Sequence, residues 1–74
     1  MLKEHEKIFL KILKDIKNKN FPTIKELKDF YKNEYDKIIE TLFKSGYITD
    51  EIVHLTVTGI SYLEQLEKIS KNRI

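Results

Sequence analysis

The segment Leu42-Phe43-Lys44-Ser45-Gly46-Tyr47-Ile48, followed closely by Leu55-Thr56-Val57-Thr58-Gly59-Ile60-Ser61-Tyr62-Leu63, constrains this chain more than any other feature. Gly46 comes just after a helix-periodic run, at the position where a left-handed backbone favours glycine. From Tyr47 to Leu55 the period shifts toward two. Tyr47-Ile48-Thr49 and Ile52-Val53-His54-Leu55 are β-prone stretches around Asp50-Glu51, which predicts a very short hairpin without an Asn-Gly type turn. Thr56 or Thr58 then caps a last helix that carries Ile60, Leu63, Leu66 and Ile69 on one side. Gly59 falls on that same side. Glycine inside a helix costs about 1 kcal/mol relative to alanine, so its presence predicts a close backbone approach to another helix.

The first half of the chain is helical in period. Ile8, Phe9, Ile12, Leu13 and Ile16 define one apolar face of a helix expected over Lys3–Asn18. Lys3, Lys7, Lys11 and Lys14 form a stripe on the opposite face, which ordinary charge patterning reads as solvated. Asn18-Lys19-Asn20-Phe21-Pro22 breaks the period, and Pro22 marks a turn. Thr23-Ile24-Lys25-Glu26 reads as a capping box for a short second helix. Ile24, Leu27 and Phe30 face inward, and the helix ends near Tyr31. Asn33 is the expected N-cap of a third helix with Tyr35, Ile38, Ile39, Leu42 and Phe43 at helical spacing.

At 74 residues the chain is read as one domain over 1–74, near the lower size limit for a self-sufficient core. It has no cysteine, which excludes disulfides, thiolate metal sites and cysteine nucleophiles. No signal-like start and no apolar run of membrane length occurs, so a soluble, cytoplasmic protein without membrane contact is expected. Thirteen lysines stand against one arginine, and alanine is absent. This bias follows AT-rich codons, so the lysine count alone does not argue for nucleic acid. His5, expected to be partly packed on the first helix, and His54, expected to face outward, are far apart in sequence. Glu64 and Glu67 lack a histidine partner. With no phosphate loop and no ligand cluster, neither an enzyme nor a cofactor or metal is expected.

The order helix, helix, helix, short hairpin, helix resembles a winged helix-turn-helix domain, mainly α with a small β-hairpin (α+β; order α-α-α-β-β-α). The Leu42-to-Ile48 ending and the Leu55-to-Leu63 opening are similar to those of the MarR- and PadR-type branch of small bacterial, archaeal and phage regulators. The resemblance implies a helix-turn-helix over 23–45, a wing over 47–55 and a C-terminal helix over 57–72. It also implies transcription regulation through double-stranded DNA, with the third helix in the major groove. The residues then expected at DNA are Lys25, Lys28, Lys32, Asn33, Lys37, Thr41 and Lys44.

The charge distribution opens a second reading. Residues 1–32 hold nine lysines and five acids, whereas residues 33–67 hold two lysines and seven acids. Carboxylates oppose phosphates, although a carboxylate also accepts from cytosine N4. Glu34, Asp36, Glu40, Asp50 and Glu51 therefore define an alternative surface for a protein partner, as in an adaptor, anti-repressor or inhibitor. Tyr62 and Ile69 widen the apolar arc of the last helix. This predicts a homodimer formed through helix one and the C-terminal helix.

Overall fold

A computed structural model describes residues 2–71 and, at Glu51, the backbone alone. Helix α1 (Glu4–Asn18) leads into strand β1 (Phe21–Thr23) and helix α2 (Ile24–Phe30). Helix α3 (Asp36–Lys44), strand β2 (Glu51–Val53) and helix α4 (Val57–Lys71) complete the order. The chain is thus mainly helical with one small antiparallel sheet, in which Phe21 pairs with Val53 and Thr23 with Glu51. Strand β2 overlaps the expected second hairpin strand only at Ile52 and Val53, and its ladder partner is β1, not the stretch after Gly46. That stretch contributes only an isolated bridge between Ile48 and Leu55. The observed order is therefore α-β-α-α-β-α.

The residues around Pro22, read as a turn, form an edge strand instead. Pro22 lies between the two paired positions, and an edge is where a strand tolerates proline. Phe21 and Val53 face each other across this pair and both are buried.

The core is drawn from every element. Ile12, Leu13 and Ile16 come from α1, Leu27 from α2, Ile39 and Leu42 from α3, and Leu63 and Leu66 from α4. Ile48 and the Phe21–Val53 pair close it on the sheet side. Each such side chain contributes roughly 1.5–3 kcal/mol when fully buried.

At the end of α2 the inward residue is Tyr31, not Phe30. Tyr31 is buried, while Phe30 is 46 % exposed and lies edge-on to Phe21 with the Lys19 ammonium 4.4 Å from its ring centre. A buried tyrosine needs a partner for its hydroxyl. Tyr31 donates to Asp15 Oδ2 at 2.7 Å, which ties α2 to α1. Burial, then the hydrogen bond to Asp15 and that residue's charge, push the Tyr31 phenol far above its ordinary range.

Helix α4 uses its aromatic residue within the chain. Tyr62 stacks on Tyr47 at 4.7 Å and meets Phe9 edge-on. His5 is exposed rather than packed, with its ring edge-on to Phe9, and His54 is exposed as expected.

Candidate nucleic-acid interface

The expected capping box of α2 forms on the threonine side. Thr23 Oγ1 accepts the Glu26 N–H at 3.2 Å and fixes where the helix begins. The end of α2 is set by a pair of crossed bonds. The Lys32 N–H donates to the Asp29 carbonyl at 2.8 Å, and the Asn33 N–H donates to the Lys28 carbonyl at 2.9 Å. This is a Schellman ending with lysine where glycine is usual, and both Lys32 (φ 55°) and Asn33 (φ 62°) are left-handed.

That ending displaces the start of the next helix. Asn33 does not cap α3, which begins at Asp36 after Tyr35. Its amide instead donates to the Asp36 carboxylate at 3.1 and 3.3 Å. Asparagine suits both jobs by residue type, and the αL turn wins because it closes the α2 carbonyls.

Along α3, Lys37, Thr41 and Lys44 recur at intervals of four and three, which places them on one exposed stripe. Lys37 and Lys44 are about 10 Å apart along the axis at 1.5 Å per residue. The Thr41 hydroxyl donates back to the Lys37 carbonyl at 2.9 Å, leaving its oxygen lone pairs free to accept. Lys25 and Lys32 are exposed as well, and none of these four lysines forms an ion pair among the described residues.

The neighbouring stripe carries the acids, and both are engaged. Asp36 receives the Asn33 amide, and Glu40 Oε1 takes the Lys28 ammonium at 3.3 Å. Lys28 is thereby drawn off the list of free cations, its side chain only 21 % exposed against 50 % for Glu40. An exposed pair of this kind adds little stability, of order 0–1 kcal/mol, but it cancels charge where a phosphate would approach. The pairing spans two helices, so sequence spacing could not reveal it. The Asn33–Asp36 contact, three residues apart, was within reach of a local reading.

Glu34 and Asp50 are exposed and form no ion pair among the described residues. The Glu51 side chain lies outside the described residues. Within the same set, no three His, Cys, Asp or Glu residues gather as a metal site, and no helix is long and apolar enough to cross a membrane.

Helix α3 is braced from behind by a compact junction. Gly46 (φ 81°) ends it in a second Schellman pattern, with the Tyr47 N–H on the Leu42 carbonyl at 3.0 Å and the Gly46 N–H on the Phe43 carbonyl at 3.1 Å. Of the two expected caps, Thr56 is the one used. Its hydroxyl donates to the Gly46 carbonyl at 2.6 Å and accepts the Gly59 N–H at 3.0 Å. Gly59 does mark a close approach, but to the Tyr47 backbone just after α3 and not to a helix. Comparison with known proteins finds no matching family model, no matching curated protein and no matching solved structure.

Proposed function

We propose that this chain is a small winged-helix DNA-binding protein, a cytoplasmic transcription regulator that lays α3 in the major groove. Lys37 and Lys44 meet phosphates on either side of Thr41, whose oxygen faces base edges. Lys25 and Lys32 extend the phosphate contacts from α2 and the turn after it. The observation that carries this reading is the state of charge on α3: Lys37 and Lys44 form no ion pair among the described residues, and the Glu40 carboxylate is already paired with Lys28. Phosphate neutralisation dominates affinity, so unpaired lysines beside a neutralised Glu40 favour approach to DNA. The architecture supports the reading too. Strands β1 and β2 bracket α2 and α3 in sequence and pair with each other, while the Ile48–Leu55 bridge closes residues 48–55 into a loop at the place of a wing.

The test is the salt dependence of binding to a labelled duplex. Wild-type affinity falls steeply with salt, and Lys37→Ala lowers the slope of log K against log salt by about 1. An unchanged slope in Lys37→Ala would remove Lys37 from the interface.

Exposed Glu34 and Asp50 favour a second reading, in which an acidic patch around α3 docks a basic protein partner. Glu40 separates the two readings, because it obstructs DNA in the first and engages the partner in the second.

A further inference from the structure

We infer that Thr41 reads the N4 amino group of a cytosine, so that the duplexes this chain prefers carry a C·G pair opposite the middle of α3. This rests on the placement of α3 in the major groove proposed above, and it adds the class of base that the helix selects. Thr41 is exposed on the stripe between Lys37 and Lys44. Its Oγ1 lies 2.9 Å from the Lys37 carbonyl oxygen. A carbonyl oxygen cannot donate, so the hydroxyl proton is occupied there and only the lone pairs are left for a base. A free hydroxyl would serve any base edge. Thr41 serves only a donor.

The neighbouring groups narrow the choice in the same direction. Asparagine recognises adenine with a donor and an acceptor presented together to N6 and N7. In this chain the Asn33 amide nitrogen is engaged by the Asp36 carboxylate at 3.1 and 3.3 Å, which removes that fork. Asp36 and Glu40, on the adjoining stripe, are acceptors only when ionised. From Asp36 to Lys44, the two lysines aside, every polar side chain of α3 therefore presents an acceptor. Among the four bases only cytosine shows the major groove a donor and no acceptor. Adenine sets N7 beside its amino group, guanine shows N7 and O6, and thymine shows O4. Each of those acceptors would meet lone pairs or a carboxylate, and a polar group left unpaired in an interface costs more than a bond not made. The O6 and N7 acceptors of the paired guanine lie toward the other strand. Lys37 and Lys44 stay on the phosphates, where they add affinity without sequence preference.

Selection from a duplex library with a randomised centre, using the full chain at low salt, tests it. Wild type enriches a C·G pair at one position by about fivefold or more over A·T pairs. Thr41→Val keeps the shape and removes the lone pairs, so that enrichment disappears. The salt slope is unchanged in this variant, because no charge has been altered. Thr41→Ser keeps the acceptor and the preference. Lys37→Ala does the opposite of Thr41→Val, weakening binding evenly across sequences and lowering the salt slope. Thermal melts of the variants check that the fold is intact. A wild-type pool that favours A·T pairs, or no pair, overturns the inference, and so does a Thr41→Val pool with the wild-type preference. Duplexes not retained at all at low salt remove the DNA reading and this inference together. Retention without C·G enrichment overturns this inference alone.

Discussion

Gly59→Ala lowers the stability of the domain by about 3 kcal/mol or more, although helix propensity alone favours alanine by about 1 kcal/mol. A Cβ at this position would sit on the Tyr47 carbonyl oxygen and 2.9 Å from its carbonyl carbon. Neither atom can give way cheaply. The Tyr47 carbonyl already accepts the Thr56 N–H at 3.0 Å, and the Tyr47 ring is stacked on Tyr62. Relief requires shifting the start of α4 away from the end of α3, which also strains the Thr56 hydroxyl between Gly46 and Gly59. A core this small supplies roughly 3–5 kcal/mol in total, so the variant is expected to be largely unfolded at room temperature. Urea and thermal denaturation followed by circular dichroism measure the effect. Because the two mechanisms predict opposite signs, an alanine variant as stable as wild type would show that the close approach is not rigid.

Glu40→Lys tightens binding to duplex DNA about tenfold or more at low salt and steepens the salt dependence by about 1–2. The change removes a carboxylate from α3, adds a cation beside the Lys37–Thr41–Lys44 stripe, and releases Lys28 from its 3.3 Å pairing. Because the pair is on the surface, its loss costs no more than about 1 kcal/mol and the fold persists. The protein-partner reading expects the reverse for a basic partner, since Glu40 would be one of its contacts. Fluorescence anisotropy with the same duplex and a thermal melt separates affinity from stability. Weaker binding by Glu40→Lys at unchanged stability would favour the protein-interaction surface.

The parts of this fold that were legible in the sequence are those whose cause is local. Gly46 answers to a backbone angle and Thr23 to an orphan N–H, and residue type discloses both. Gly59 disclosed a close approach but not its target, which depends on where α3 stops. Strand β1 was hidden because Phe21 is stabilised by Val53, far along the chain, while Pro22 locally argues for a turn. Periodicity chose Phe30 over Tyr31 for the core. The hydroxyl bond from Tyr31 to Asp15 reverses that choice, and only the packing of α1 against α2 brings those groups together.

The candidate site divides the same way. Spacing along α3 placed Lys37, Thr41 and Lys44 on an exposed face, and the structure keeps them there. A count of acids overstates the negative field on that face by one charge, because Glu40 is paired across to α2. Lys28 neutralises Glu40, whereas the Asn33 amide orients Asp36 and leaves its charge in place. The acid count remains informative at Glu34 and Asp50, which form no ion pair among the described residues.

The proposed DNA contact requires α3 to present Lys37 and Lys44 while Lys28 neutralises Glu40. The most direct measurement is an amide chemical-shift titration of the full chain with excess duplex at low salt. Shifts are expected to concentrate at Lys37, Thr41 and Lys44 and to fade as salt is raised. Unmoved α3 amides at excess duplex would contradict the proposed contact.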